Sequence, residues 1–564
     1  MLKGHPKGLI VAFITNMGER FGFYTMMAIL VLFLQARYDL DEKSAGYIYS
    51  VFYFMIYALA LVGGIIADRT GKYKTVILSG IVLMFGGYGI LAFPGSPMWI
   101  TFVGLAIIAF GNGMFKGNLQ ALVGKMYDPP QYSHLRDSAF SVFYMGINIG
   151  ALFAPAAASW ITNKMLAAQG FLYQANVPAL AKKVIAGDAD SVGKLQGLMS
   201  EATASGAMVP SSVSEFASKY MEAFTNGYNG AFAIAAVAMV VSLLVYIFFN
   251  KMLPANQERK AKGGTAAEAP QMSRAEEKKR ITALLIVFVV VIFFWMSFHQ
   301  NGLTLTFFAR DYTQTVIGPK MNMAFNLWGL LPSVVALYGV ILLVQCVIQS
   351  FRTKFPVVKT VISLVLIGGG SFMAYEAYGS FSAENVITPQ LFQQFNPLFI
   401  VFLTPVIVGF FGWMNKKGIE PSSPKKIGIG MILAACAYLI LAFGSYDLPS
   451  FQSLGLVGIS GEAGRVSPNL LINTYLVLTF AELFLSPMGL SFVSKVAPPR
   501  FQGLMQGGWL GATAIGNQLL FVGSSLYEKL ELWQVWTVFI VLCLISATFI
   551  FWIMKKLEAA TSGK

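Results

Sequence analysis

The sequence predicts an all-α membrane protein of fourteen transmembrane helices, and three observations carry that prediction. Of the 564 residues, 56% are hydrophobic and 12% charged, against about 25% charged in an average soluble domain. Apolar runs near the length of about 20 residues needed to cross the hydrocarbon core recur from residue 8 to residue 555. The basic residues, finally, gather in the short polar segments between alternate pairs of runs, the charge bias that orients membrane helices.

The first run, 8–35, follows the short basic start "MLKGHPKG" with no small-residue cleavage site, so it is expected to be a retained helix rather than a signal peptide. Further spans are expected near 45–67, 74–93, 99–123, 139–163 and 227–250, then 281–303, 328–350, 357–377, 390–414, 425–445, 470–491, 502–527 and 531–555. With the N-terminus placed inside, "DRTGKYK", "SRAEEKKR", "SFRTKFPVVK", "MNKKGIEPSSPKK" and "MKKLEAATSGK" all fall on that side. The reading is a multi-pass protein of the inner membrane with both termini cytoplasmic.

Two long loops divide the chain. Residues 164–226, rich in Ala, Ser and Gly, form an outer insert for which partial helix is expected. Residues 251–280 are polar and charged and fall at the midpoint, as a cytoplasmic linker would. The organisation is therefore an N-terminal six-helix bundle over 1–250, the linker, and a C-terminal six-helix bundle over 281–564 with an extra helix pair at 328–377. "GGIIADRTGKYK" and "GFFGWMNKKG" follow corresponding spans of the two halves, and internal repeats of this kind build many transporters.

The net charge of +14 lies in those loops, so no nucleic-acid partner is expected. Cys346, Cys436 and Cys543 are widely separated and have no metal-ligand spacing. With only three histidines, neither a metal site nor another cofactor is expected. No paired acid and base or nucleophile constellation suggests an enzyme.

Certain polar residues stand inside the apolar runs. In "TNMGERFGFYT", Asn16, Glu19, Arg20 and Phe23 recur at i, i+3, i+4 and i+7 and share a helix face. A charge near the bilayer centre costs at least about 2.5–3.5 kcal/mol, so such groups must face protein or a wet cavity. Lys116 in "FGNGMFKGNLQALVG" and Glu482 in "AELFLSPMGLSF" lie equally deep in their runs.

"GGIIADRTGKYKT" resembles the loop signature of the major facilitator superfamily, which implies a fold of two six-helix bundles, here with two added helices. Its Gly63 and Gly64 would allow close helix approach, while Asp68 and Arg69 would make contacts specific to one conformation. "ERFGFYT", "RDSAFSVFYMGINIGALFAP", "FNPLF", "AELFLSPMGL" and "MQGGWLGATAIGNQL" resemble the proton-coupled oligopeptide transporter family over nearly every span. That resemblance implies a secondary active importer of di- and tripeptides, with protons as the coupling ion, a small peptide and the bilayer as partners, and a monomer. It also implies the binding roles: a zwitterion needs one cationic contact, one anionic contact and amides between them, and the matching positions Lys116 with Arg20, Glu482, and Asn148 with Asn396 would supply these, with Tyr24, Tyr57, Trp295 and Trp509 lining side-chain pockets.

The chain departs from the family motif at Asn16, which stands where the family has glutamate, and at Phe23 and Met27, where it has tyrosine and arginine. In "WMSFHQNG", His299 stands where the family has a further glutamate. Glu19 is the expected proton carrier, working with Arg20 and Lys116, and His299, whose unperturbed imidazole titrates near about 6.5, its modulator. Loss of two carboxylates leaves open a transporter of the same fold for nitrate or an amino-acid-like or peptidomimetic solute, one with weak coupling, or a non-transporting sensor.

Overall fold

The computed structural model describes residues 4–208, 210–254, 273–351, 356–454, 464–498 and 501–561. Most of the expected linker 251–280 lies outside the described residues. Among those described, thirteen helices are long and apolar enough to cross a membrane.

The first six are Gly8–Tyr38, Glu42–Thr70, Tyr73–Ala92, Met98–Lys125, Arg136–Ala168 and Val213–Phe249. Their ends follow local rules. Asp41 caps the second by accepting from the Ser44 N–H, and Ser212 caps the sixth through the Glu215 N–H. The first helix is the most enclosed, with 78% of its central stretch buried. It packs chiefly against the fifth and sixth.

The sixth helix starts at residue 213 rather than at 227, because a capped and partly apolar stretch continues it beyond the lipid. The preceding insert carries the short helices Val177–Ile185 and Ala189–Leu198, and its leading residues Phe171 and Leu172 rest on that extension through Phe216 and Tyr220.

In the second half the seventh helix, Arg274–Phe298, begins at a Ser273 cap and passes through a 3₁₀ turn, His299–Gly302, into Thr304–Asp311. After it come the extra pair, Leu327–Ser350 and Val357–Ser380, then Phe395–Lys416, Ser423–Gly444, Asn469–Val496 and Leu532–Trp552. The segment 502–527 is not one helix. It breaks into Gln502–Gln518 and Phe521–Tyr527.

The break has a visible cause. Gln300 Nε2 donates to the Leu520 carbonyl at 3.1 Å, so a side chain from the seventh helix enters the backbone ladder of the eleventh core helix. The seventh helix is interrupted at the same level, and hydroxyls of Tyr438 and Tyr475 satisfy its freed carbonyls at Ser297 and Asn301. The two discontinuities face each other.

The extra pair packs on itself and meets lipid elsewhere, with 17% and 11% of its central stretches buried. Its base is closed by a two-residue antiparallel ladder, Val316 opposite Val386 and Ile317 opposite Asn385.

Candidate functional site

The polar residues of the first helix are buried, as their cost in hydrocarbon demands. Glu19 and Arg20 form a fork-to-fork pair, Nε to Oε2 at 2.5 Å and Nη2 to Oε1 at 2.6 Å, with side chains 0% and 3% exposed. Asn112 of the fourth helix donates to Glu19 Oε1 at 2.7 Å. The Arg20 guanidinium also lies over the Phe23 ring, 4.7 Å from its centroid. Asn16 donates to the Phe143 carbonyl at 3.4 Å, and Met27 is buried in the apolar core.

Lys116 is placed differently. Its ammonium sits 4.2 Å from the centroid of the Tyr57 ring, and no carboxylate lies within 4.0 Å of it among the described residues. On the tenth core helix Glu482 accepts from Asn396 Nδ2 at 2.9 Å and likewise has no cation in ion-pair range. Asn396 is held in turn on the Thr479 hydroxyl at 3.1 Å.

These groups share one space. Tyr24, half-buried, is within electrostatic reach of Arg20 and Glu19 from its own half and of Glu482 from the other. Tyr57 senses Tyr24, Arg20 and Glu482; Lys116 senses Arg20 and Glu19; and His299 senses Lys116. The first, second, fourth, seventh and tenth core helices thus contribute to a single polar region between the halves.

His299 sits on the 3₁₀ turn, its ring stacked 4.7 Å from Trp295 and also 4.7 Å from Tyr53. Its Nδ1 is 2.5 Å from Asn517 Oδ1, at the end of the broken eleventh helix. The indole N–H of Trp295 and the Asn517 Nδ2 are both buried without a protein partner.

Other expected residues lie apart. The Asn148 amide turns back onto the Tyr144 carbonyl of its own helix at 3.1 Å. Trp509 is buried against Phe288 and Gly489. A Cβ at Gly489 would stand 1.8 Å from the Trp509 ring, so Trp509 packs helices together rather than lining an open pocket. Gly63 meets the fourth helix as expected, since a Cβ there would be 2.2 Å from the Gly113 carbonyl, but Gly64 has open space and takes no part in that approach. Asp68 accepts a hydrogen bond from Tyr73, whose ring carries the Lys125 ammonium at 3.5 Å, while Arg69 is exposed.

A second constellation escaped the sequence reading. At the rim opposite the basic loops, Arg310 pairs with Asp311 at 2.6 Å and with Glu42 at 2.8 Å, and donates to Gln35 Oε1 at 2.6 Å. Tyr527 bonds Asp311 at 3.1 Å. Arg465 clasps the Arg310 and Thr313 carbonyls and reaches Asn176 in the other half at 3.0 Å. Ser159 and Thr388 bond across the halves at 2.7 Å. Burial pushes the Glu528 carboxyl up, and it accepts from the Lys43 N–H at 2.7 Å. The halves are therefore locked together at this rim. The signal in the sequence was the adjacent pair Arg310-Asp311, which closes an apolar run.

Comparison with known proteins agrees with this geometry. The family model described as POT family matches residues 73–268 and 379–534. The chain is 27% identical to an uncharacterized transporter, YclF, of Bacillus subtilis, over 93% of this chain and 89% of the relative. It is 27% identical to the peptide transporter YePEPT of Yersinia enterocolitica, covering 91% and 86%, and 25% identical to dipeptide and tripeptide permease A of Cronobacter turicensis, covering 90% and 82%. Among solved structures, a peptide transporter POT in complex with alafosfalin superposes with a TM-score of 0.65 at 22% identity, over 100% of this chain and 97% of that one. At that identity the likeness is one of fold.

Proposed function

The chain belongs to the POT family, and from that premise we propose that it is a secondary active symporter importing di- and tripeptides with protons. The observation that supports this best is the placement of Lys116 and Glu482. They are opposite charges on opposite halves, facing one polar region, and among the described residues neither has an ionic partner within 4.0 Å in the closed-rim state. A peptide carboxylate on Lys116 and a peptide ammonium on Glu482 would satisfy both, which gives the site preference for a zwitterion. In this reading Asn396, whose Nδ2 is held by Glu482 and Thr479, would offer its carbonyl oxygen to the peptide backbone, and Tyr24 and Tyr57 would line pockets for its side chains.

Arg20 is neutralised by Glu19 in this state. In the proposed cycle a proton on Glu19 releases the guanidinium toward substrate, which couples protonation to binding. Opening toward the peptide source requires the Arg310 network to part, and rocking of the halves about the midplane then alternates access. The proposal places the protein in the inner membrane, with both termini cytoplasmic, working as a monomer.

A second reading is an amino-acid-like zwitterion. It is favoured by Asn148 and Asn396, whose side-chain amides donate to the Tyr144 carbonyl and to Thr479 with Glu482, so that fewer N–H donors are left for a peptide backbone. One solved relative, a POT family transporter, is described in complex with 5-aminolevulinic acid. Counterflow of labelled dialanine in proteoliposomes, with and without an imposed pH gradient, tests the proposal. Dialanine exchange that accelerates on the acidic-outside gradient is expected. Exchange indifferent to the gradient removes the proton, and exchange of an amino acid but not dialanine removes the peptide.

A further inference from the structure

At the membrane end that carries the basic loops, the first turns of the seventh helix and the segment after the last core helix enclose a cleft of 680 Å³. On the seventh helix Lys278, Lys279, Thr282, Ala283 and Ile286 line it. They fall at i, i+1, i+4, i+5 and i+8 and share one face with Ala275, while Glu276 borders that face and Glu277 falls off it. Glu276 is further occupied by Arg280, at 2.9 Å. From the other wall come Ile553, Lys555 and Leu557.

The cleft is divided by chemistry. Its floor, Ala283, Ile553 and Leu557, is buried and apolar, while Lys278, Lys279 and Lys555 stand exposed at its rim. A second groove of 510 Å³ runs up the lipid side of the last core helix from Val541 to Trp552, one residue short of Ile553. It is lined by Leu544, Ile545, Thr548 and Phe549 between those ends and is otherwise apolar.

We propose that this cleft binds one anionic phospholipid, its phosphate held by Lys278 and Lys555 and an acyl chain laid along the groove of the last helix. Basic pockets between helix ends at the membrane surface attract acidic headgroups. The chain's own linker is a poor occupant. Residues 251–272 hold Lys251, Arg259, Lys260 and Lys262 against Glu258 and Glu268, so they are net basic.

Native mass spectrometry of the full chain, titrated with phosphatidylglycerol and separately with phosphatidylcholine, tests this. The protein should retain one phosphatidylglycerol in preference to phosphatidylcholine. Each lysine removed should weaken that preference about fivefold, so Lys278→Gln with Lys555→Gln should lower phosphatidylglycerol affinity about twenty-fivefold and leave phosphatidylcholine unchanged. Thr282→Trp, which fills the cleft and keeps every lysine, should lose the lipid as well. Lys359→Gln, an exposed lysine elsewhere on the same end, should not. Equal retention of the two lipids by the unaltered protein, undiminished preference in the double variant with native circular dichroism, or cross-links that place residues 255–272 in the cleft would each overturn the assignment.

Discussion

Arg310→Gln should open the rim that Arg310 closes. The substitution removes the guanidinium from Glu42 and Asp311, whose side chains are 7% and 10% exposed. Stripping one partner from a buried ion pair costs about 3–5 kcal/mol, because the remaining charge is left desolvated. Here Glu42 keeps Gln35 Nε2 at 2.9 Å and Asp311 keeps the Tyr527 hydroxyl at 3.1 Å, so the lower figure, about 3 kcal/mol, applies. Water reaches both carboxylates once the rim parts, so the cost falls on the closed state alone. At about 1.4 kcal/mol per decade, the ratio of closed to open molecules should fall roughly a hundredfold. The assay uses Ser159→Cys, since Ser159 is 5% exposed beneath this rim. A membrane-impermeant maleimide should modify that cysteine some two orders of magnitude faster in the Arg310→Gln background. An unchanged rate in a protein that still purifies as a folded monodisperse species would refute the reasoning and reduce the network to surface decoration.

Lys116→Ala and Glu482→Ala should each abolish dialanine counterflow, because each leaves one end of the zwitterion without a counter-charge; full exchange in either variant discards the clamp. Gly489→Ala places a methyl 1.8 Å from the Trp509 ring, and overpacking of this kind costs about 1–3 kcal/mol, to be read as a lowered Tm. Glu420, between the eighth and ninth core helices, accepts from Lys426 and from Asn415, and these bonds hold its carboxyl below the ordinary value of 4.5. A depressed folded value contributes stability above about pH 4.5 that is lost as pH falls further. The Tm difference between the unaltered protein and Glu420→Gln should therefore be full at pH 7 and shrink below pH 4.5; a difference that grows on acidification contradicts the sign.

The spans were legible because lipid permits few solutions: an apolar run of the right length must be a helix, and a charge inside it must have company. That rule singled out Glu19 and Arg20, and the family resemblance added Lys116 and Glu482, which the structure brings to the same region. The rule could not assign their pairings. Adjacency in sequence gave no sign that the Arg20 guanidinium folds back onto Glu19 and leaves Lys116 as the cation without a carboxylate.

Hydropathy was also blind to interruption. Residues 502–527 read as one span since Leu519 and Leu520 are as apolar as their neighbours, whereas the break is made by Gln300, more than two hundred residues away. Helix starts were misjudged by polarity. Residues 213–226 and 274–280 are helical outside the lipid on the strength of their caps and of side contacts. Gly64 shows the limit of motif reading, for two adjacent glycines point in different directions and only Gly63 meets another helix.

The sixth helix acts as a mast. Its 37 residues span about 55 Å, so some 25 Å rises beyond a hydrocarbon slab about 30 Å thick. The insert is bolted to that upper length by Tyr220, whose hydroxyl bonds the Leu172 carbonyl at 3.1 Å. Any tilt of the first half is consequently magnified at the masthead. Pivoted at the midplane, about 40 Å below the tip, a rotation of about 15° would sweep the masthead by about 10 Å, so a modest lean deep in the bilayer suffices to slip the outermost mooring between the halves.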